Sequence, residues 1–358
     1  MGLIQRIKQF FARNKIQALP ENASTSNYTD NSWILNSSSG NSQKQFSKLD
    51  LDIQNFLNKY SQTVASINSD QPINNFEVAY ASLVSSNEQI TQEQYIHNLN
   101  SENELLTNFA FNKMFQVNEQ GGFYHIQSQN YKMPNFDEMA RVYINCRSEN
   151  IAELANEISK TNTNPNFYMK FTSNEANAQN PRNEKIVLYC NKNEVDYTIK
   201  LLHYCKNIKP ELFADSKTLP FLKNEQNIAS TANQPLTNLY INLNGQTTQI
   251  PQSVNSFITN MLQEAYMEAA REIARADKNL DFLLDPSYYN NETLYVQNYP
   301  YISHCYNDYL LNSMKAKLEI LSKNNNIEID GLNPMQQYNK EYTELYKYDN
   351  YNSIDQEK

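Results

Sequence analysis

The feature that most constrains the fold is an alternation of strand and helix patterns in the middle of the chain. Three segments have the alternating apolar pattern of a half-buried strand, 141–146, 167–171 and 185–190. Two segments repeat apolar residues at the spacing of an amphipathic helix, 149–160 and 193–205. The resulting order of strand, helix, strand, strand, helix predicts an α+β sandwich with its helices on one face of the sheet.

The chain before these strands is predicted to be helical. Helix patterns occur in four segments, at 49–64, at 76–83, from Thr91 onward and at 102–115. The sequence EQGG at 119–122 is the strongest turn signal in the chain. We therefore expect an all-helical region of residues up to about this turn.

The chain after these strands predicts a hairpin and then more helix. Strand patterns at 239–243 and 246–250 flank Asn244-Gly245, a dipeptide typical of a type I′ hairpin turn. A long helix is predicted to begin at Ser253, and another helix is predicted at 305–321.

These patterns divide the chain into four predicted regions. Residues 1–48 form a basic amphipathic helix and a polar linker or export leader, and 49–135 form a helical region. Residues 136–280 form an α+β domain, and 281–358 form a Tyr/Asn-rich helical extension whose polar end, from Asn324, we expect to be loosely attached. The predicted fold class is α+β, an N-terminal helical region followed by a mixed or antiparallel sheet with helices packed on it.

The N-terminal segment Met1–Lys15 places apolar residues at helical spacing with basic residues between them. Three interpretations stay open: weak contact with a membrane surface, a translocation signal, or a helix that packs on the body. The Asn/Ser/Thr-rich segment 20–48 is too poor in apolar residues to fold alone. The composition of these two segments together resembles the leader of an exported bacterial effector.

Composition excludes several classes of function. The 358 residues include 30 Lys and Arg against 39 Asp and Glu, a net charge of −9 that does not suit a nucleic-acid-binding surface. The mean hydropathy is −0.72, and no apolar run reaches the roughly 20 residues that an integral membrane segment needs. The cysteines show no CxxC pair and the histidines no HxxxH or HExxH spacing, so we expect neither a disulfide framework nor a metal site.

Lys170 is the clearest candidate for a chemical role, because it interrupts the apolar strand pattern FYMKF. A cation buried there without a partner costs several kcal/mol, and burial would lower the pKa of the amine and make it a general base. By the period of a strand, Lys170 shares a face with Tyr168. An ordinary lysine on a solvent-exposed face is the alternative interpretation.

A cluster of cations is predicted around this lysine. Arg141 and Tyr143 lie two residues apart on the first strand and therefore point to the same face. If that strand lies near the strand of Lys170, a guanidinium, a phenol and an amine converge on one surface. Arg182 and Lys223 would add two more cations, and such a cluster would suit an anionic ligand. For each residue taken singly, a surface charge or a core tyrosine is the alternative.

Five segments then carry a family likeness. They follow one another between Arg141 and Ala270 and read RVYINCRSENIAELANEISK, NFYMKF, NPRNEKIVLYC, KTLPFLKNEQNIASTANQP and SVNSFITNMLQEAYMEA. Their order and spacing resemble the HopA family of type III secretion effectors. The domain of that family also occurs in bacterial lanthipeptide biosynthesis, as the lyase partner of a kinase-like protein. It is similar in fold to phosphothreonine lyases, which remove phosphate from a phosphorylated side chain by β-elimination.

The resemblance implies roles for the candidate residues. Lys170 would abstract the α-proton, and Tyr143 would stand where phosphothreonine lyases place a histidine acid. Arg141 would hold the phosphate, with Arg182 and Lys223 as further phosphate contacts. Neither a metal nor another cofactor is implied, because cations can stabilise the departing phosphate.

The sequence also departs from the family pattern. In the segment that the family writes SFGxxR, Ser256-Phe257 are kept, but Ile258 replaces the glycine and Met261 replaces the arginine. Residues 224–227, NEQN, replace a PLAPG stretch. The loss of an arginine from a phosphate site would remove transition-state binding.

The leading hypothesis is therefore a secreted effector that acts as a phospho-Ser/Thr lyase on a host protein or phosphopeptide. It would be made in the bacterial cytoplasm, with a secretion chaperone as a candidate partner, and exported into a host cell. The alternatives are a catalytically inactive HopA-like module that docks on a host protein, and a lanthipeptide-type biosynthetic lyase.

Overall fold

The computed structural model describes residues 46–67, 73–111, 115–214, 218–235, 238–243, 246–251, 253–288, 291–325 and 327–332. Apart from Phe46, these residues belong to one compact unit, Ser47–Lys358. The predicted amphipathic helix at Met1–Lys15 lies outside the described residues.

The described α-helices have the following bounds: α1 Lys48–Ser66, α2 Asn75–Val84, α3 Gln92–Phe111, α4 Ile151–Thr161, α5 Asn174–Gln179, α6 Val195–Ile208, α7 Val254–Ala276, α8 Glu292–Gln297 and α9 Tyr299–Asn325. The strands have these bounds: β1 Phe115–Gln120, β2 Phe123–Ser128, β3 Met139–Ile144, β4 Tyr168–Thr172, β5 Ile186–Asn191, β6 Lys223–Glu225, β7 Ala229–Asn233, β8 Asn238–Leu243 and β9 Gln246–Pro251. None of the described helices is both long enough and apolar enough to cross a bilayer.

Helix α1 begins with a capping box. The Ser47 hydroxyl accepts a hydrogen bond from the Asp50 N–H at 3.2 Å, and the Asp50 carboxylate accepts one from the Ser47 N–H at 3.0 Å. The helix buries the predicted face, for example Ile53 and Tyr60, but Leu51 is 45% exposed. The pattern therefore predicted the helix correctly and one of its inward residues incorrectly.

Helix α3 is continuous, although the sequence predicted two helices over the same stretch. No glycine or proline interrupts Thr91 to Phe111, so the backbone hydrogen bonds run through without a break. The predicted end at Phe115 is also wrong, because that residue begins strand β1.

The main sheet has seven strands in the order β1-β2-β4-β5-β3-β7-β6, and every neighbouring pair is antiparallel. Helices α4 and α6 pack on one face of it. The core between these helices and the sheet includes Val142, Met169, Leu188, Leu154 and Leu202. The α+β fold class with a helical N-terminal part and an antiparallel sheet is confirmed.

The β1–β2 hairpin contains the predicted EQGG turn but was not itself predicted. Gly121 and Gly122 have φ of 63° and 80°, a conformation that glycine adopts without strain. Five of the six residues of β1 are exposed, so this edge strand lacks an alternating pattern. The range 49–135 thus contains two strands as well as helices.

The predicted polar loop between the second and third predicted strands contains helix α5, whose N-cap Ser173 accepts from the Ala176 N–H. Strands β8 and β9 form the predicted hairpin as a separate two-stranded sheet, and its turn residues lie outside the described residues. Helix α7 begins after the predicted Ser253, which caps it. Helix α9 is longer than predicted and kinks at Tyr306.

The segment 327–332 packs on the body, although the sequence predicted a loosely attached tail from Asn324. Ile327 and Ile329 are 4% and 3% exposed. The Asp330 N–H donates to the Phe221 carbonyl oxygen at 3.0 Å. Two buried isoleucines and the polar contacts of Asp330 therefore anchor this segment.

The substitution Ile329→Ala is expected to lower the free energy of unfolding by about 2–4 kcal/mol, because it removes a buried side chain from a packed site. Urea unfolding followed by circular dichroism measures the loss. The matched control is Glu328→Ala at the exposed neighbouring position, with an expected change within about 0.5 kcal/mol. Equal effects of the two substitutions would contradict the observed packing.

Candidate functional site

The register of the sheet places the predicted lysine, arginine and tyrosine on one face. Tyr143 pairs with Val187, and Val187 pairs with Lys170. Two residues earlier on β3, and therefore on the same face, Arg141 pairs with Tyr189. Directly paired residues of antiparallel strands project to the same side. This side is opposite to the face covered by α4 and α6.

Lys170 is partly buried on this face, with its Nζ 4.1 Å from the centroid of the Phe123 ring. Burial lowers the pKa of the amine to about 8, and the positive charges of Arg141 and Arg182 add to the lowering, while Glu184 opposes it. The contact with the aromatic ring partly compensates the cation for lost water. The amine is thus poised to exchange a proton near neutral pH.

Arg182 and Glu184 form an ion pair at the edge of this group. Arg182 Nη1 lies 3.3 Å from Glu184 Oε1, and the carboxylate side chain is only 5% exposed. The carboxylate also accepts hydrogen bonds from the Tyr80 hydroxyl of α2 at 3.4 Å and the Asn255 amide of α7 at 2.7 Å. Glu184 therefore joins two helices to the sheet and offsets part of the positive charge.

Arg141 lies over the ring of Tyr189. Its guanidinium carbon is 5.2 Å from the Tyr189 ring centroid, and its Nη2 donates to Gln234 Oε1 at 2.6 Å. Its Nε is buried and has no hydrogen-bond partner among the described residues. A buried guanidinium N–H with no acceptor is unfavourable, and an anion beside it would supply the acceptor.

Tyr143 is almost completely buried, at 2% exposure. Burial raises the pKa of its phenol, while the hydrogen bond with Arg141 acts in the opposite direction. A phenol in this position does not suit the role of an acid that touches a substrate. The geometry fits a residue that orients the arginine.

Lys223 does not belong to the cluster. It pairs with Thr231, which pairs with Val142 on the opposite side of the sheet. Its side chain is 51% exposed and its Nζ lies 3.4 Å from a carboxylate oxygen of Glu225. The structure therefore brings together four of the five predicted residues and places Lys223 elsewhere.

Two further side chains on the site face, His125 and Tyr189, were not predicted, whereas Tyr168 was expected there from the period of the strand. His125 pairs with Lys170 across β2 and β4, and its Nδ1 is 2.7 Å from the Tyr168 hydroxyl. Burial lowers the pKa of His125, and the charge of Lys170 lowers it further. The Tyr168 ring stacks on Tyr189 with centroids 4.4 Å apart. Only the strand register could have assigned His125 and Tyr189 to the site.

The start of α7, where the family pattern carries an arginine, is occupied differently. Ile258 and Met261 are 1% and 2% exposed and lie in the apolar core. Asn255 of this helix donates a hydrogen bond to the Glu184 carboxylate. The helix thus supplies a hydrogen-bond donor but no cation from these positions.

The described residues contain no group of three or more His, Cys, Asp or Glu side chains placed to hold a metal ion. Cys146, Cys190 and Cys205 are buried free thiols, and Cys305 is an exposed one.

No protein-family model matches the chain. No curated protein matches it either. Solved structures of effector proteins from Pseudomonas syringae are similar to it. The effector protein of pathovar syringae strain 61 has a TM-score of 0.40 and 14% identity, covering 62% of this chain and 94% of its own. The effector protein of pathovar tomato strain DC3000 has a TM-score of 0.40 and 12% identity, covering 61% and 88%.

Proposed function

We propose that the chain binds the phosphate of a phosphorylated Ser or Thr side chain beside Lys170, Arg141 and Arg182, and removes it by β-elimination. The observation that carries the proposal is one sheet face that holds both an amine with a pKa of about 8 and a buried guanidinium N–H for which the described residues offer no acceptor. The amine suits a base, and the guanidinium suits a phosphate oxygen.

The proposed reaction needs only these groups. The neutral Lys170 amine takes the α-proton of the phosphorylated residue, and the electron pair forms the Cα–Cβ double bond. The bond between Cβ and the phosphate ester oxygen breaks, and inorganic phosphate leaves with both electrons. The guanidinium groups of Arg141 and Arg182 stabilise the departing negative charge. Tyr143 is assigned to positioning Arg141, and Lys223 has no part in the reaction.

A second candidate function is phosphate recognition without turnover. The buried Glu184 carboxylate already neutralises Arg182, and Met261 stands where the family pattern has an arginine. Both features weaken the stabilisation of a departing dianion. A module of this kind would dock on a phosphorylated host protein and leave the phosphate in place.

We further propose that the protein is a HopA-like effector, exported from the bacterial cytoplasm into a host cell, where the phosphorylated partner is a host protein. The ordered motifs from Arg141 to Ala270 and the basic, Asn/Ser-rich leader support this setting. A full-length fusion to a translocation reporter, compared with a chain lacking residues 1–48, tests it. Equal reporter signal from both chains would contradict an export role for the leader.

Incubation of the full chain with phosphothreonine and phosphoserine peptides tests the chemistry. The lyase proposal expects a product lighter by one phosphoric acid, with inorganic phosphate released in equal amount. Hydrolysis would instead return the hydroxyl peptide. Saturable binding with no mass change would favour the recognition module, and neither binding nor turnover would overturn both candidates.

Arg141→Lys is expected to weaken phosphopeptide binding about tenfold, because lysine cannot keep the planar contact with Gln234 while offering a second N–H to phosphate. Fluorescence anisotropy of a labelled phosphopeptide measures the change. Two matched controls should bind normally: Arg147→Lys at an exposed position near the end of the same strand, and Lys223→Ala on the opposite face. A loss with Lys223→Ala that equals the loss with Arg141→Lys would refute this placement of the site.

A further inference from the structure

We infer that a polar pocket between α3, α5 and the start of α4 binds a hard cation through side-chain oxygens. The polar side chains that the argument uses are Asn98 and Glu102 of α3, Ser148 just before α4, and Asn174 and Asn177 of α5; the apolar side chains of Ile151, Ala152 and Phe171 also line the pocket. Its cavity volume is about 10 Å³, room for one water molecule or one ion, and it is partly open to solvent. Its lining does not include the residues of the proposed phosphate site, so the inference is independent of the proposed function.

Four buried polar atoms of this polar pocket have no hydrogen-bond partner within the described part of the chain: both amide atoms of Asn98, Oδ1 of Asn174 and Oδ1 of Asn177. The three side chains are 6%, 4% and 0% exposed. The amide nitrogens of Asn174 and Asn177 donate to the Tyr95 carbonyl oxygen at 3.0 Å and to Ser148 Oγ at 2.7 Å. These bonds fix the orientation of both amides and leave their oxygens for a ligand.

Glu102 adds a carboxylate to the same wall. It is 6% exposed, and its Oε2 accepts from the Asn174 N–H at 2.6 Å. Burial raises the pKa of Glu102, the hydrogen bonds from the Asn174 N–H and from Tyr124 oppose the rise, and the negative charges of Glu119 and Glu175 add to it. Two negative charges therefore act on this carboxylate, and a bound cation would offset both the cost of its desolvation and this repulsion.

Among the residues that the structure describes, the buried cation near the polar pocket is Lys185, and it is already paired. The Lys185 ammonium is 1% exposed, forms an ion pair with Glu88, and donates to Ser148 Oγ at 2.9 Å. Because the Glu88 carboxylate balances the charge of Lys185, the ammonium adds little net repulsion toward a second cation.

The chemistry of the donors selects the class of ligand. Three amide oxygens that have no donor among the described residues, with the Glu102 carboxylate beside them, offer more acceptors than the two protons of a single water can satisfy. Ca²⁺ accepts six to eight such oxygens in flexible geometry, whereas Mg²⁺ requires a near-ideal octahedron. With one carboxylate in the set, the expected affinity for Ca²⁺ is modest, with a Kd on the order of 10⁻⁴ M.

Isothermal titration of the full chain, freed of metal by a chelator and titrated with CaCl₂ or MgCl₂, tests the inference. We expect one Ca²⁺ to bind, Mg²⁺ to bind more weakly, and the melting temperature to rise with Ca²⁺. Glu102→Gln and Asn98→Ala are expected to weaken Ca²⁺ binding about tenfold or more, because ligand charge and number set the affinity. The matched control, Asn103→Ala at an exposed position of α3, should bind as the parent does.

A parent chain that binds none of the tested ions would overturn the inference whatever the variants do, and would leave ordered water as the occupant. Binding that survives both Glu102→Gln and Asn98→Ala would also overturn it, because the ion would then lie elsewhere. If a variant fails to fold, the parent titration still decides.

Discussion

Lys170→Met is expected to abolish phosphate elimination and, in the same protein, to raise the free energy of unfolding. The methionine keeps much of the length and apolar contact of the lysine stem but has no amine to accept the α-proton. In the folded variant, no ammonium group is buried against the Phe123 ring. A base removed from its site is expected to cost at least about 10²-fold in rate, and removal of the unfavourably buried charge is expected to add about 1–3 kcal/mol of stability.

The pH dependence of both quantities follows from the lowered pKa of Lys170. The base acts in its neutral form, so the elimination rate should rise with pH up to about 8 and level off above it. For stability, the pKa of Lys170 in the folded protein lies below the ordinary lysine value of 10.5, so the unfolded chain binds more protons between about pH 8 and pH 10.5. The destabilisation caused by the buried charge of Lys170 therefore decreases as the pH rises from about 8 to 10.5. Below pH 8 the destabilisation has its full value.

Phosphopeptide mass spectrometry and urea unfolding at pH 7 and pH 10 measure the two effects. Lys132→Met, at an exposed position near the sheet, is the matched control and should change neither activity nor stability. Full activity of Lys170→Met would remove the lysine from the mechanism. Binding that persists while no chain, parent or variant, shows turnover would assign the site to recognition alone.

The strands that carry the site could be predicted because their patterns are local. Residues 141–146, 167–171 and 185–190 were each expected within two residues of the observed strand, since alternating burial leaves a signal in the sequence itself. Strand β1 left no such signal because most of its residues are exposed. Strand β7, with the sequence ASTAN, is buried but built from small and polar residues.

The site was predictable only within each strand. The spacing of Arg141 and Tyr143 placed both side chains on one face, but their relation to Lys170 depends on β5, which lies between the two strands. Such register is set by contacts far apart in sequence. Glu184 was missed for the same reason, because its burial depends on Tyr80 and Asn255, which reach it from two distant helices.

Glu184→Gln is expected to lower the free energy of unfolding by about 3 kcal/mol, because it leaves the Arg182 guanidinium and the Lys170 amine without their shared counter-charge. The substitution keeps an amide oxygen that can accept from Asn255. The charge is therefore what the variant removes. Glu225→Gln is the matched control, since Glu225 pairs with the half-exposed Lys223 on the opposite face and its loss should cost at most about 1 kcal/mol.

The same variant separates the two candidate functions. Glu184 raises the pKa of Lys170, so a lyase that lacks this carboxylate should reach its rate plateau at a lower pH. A recognition module should instead bind phosphopeptide more tightly, because no carboxylate competes with phosphate for Arg182. An unchanged pH profile together with unchanged phosphopeptide affinity would show that Glu184 acts on neither the Lys170 amine nor the Arg182 guanidinium.

A double-mutant cycle then connects the two residues. In the parent protein, Lys170→Met relieves a buried cation but also forfeits its attraction to Glu184, whereas in the Glu184→Gln background it only relieves the cation. Lys170→Met should therefore stabilise the Glu184→Gln protein more than it stabilises the parent, with a coupling energy of about 0.5–3 kcal/mol. Urea unfolding of the four proteins measures this difference. Strictly additive effects would mean that the amine and the carboxylate do not share one electrostatic site, and the charge arrangement on which both candidate functions depend would be lost.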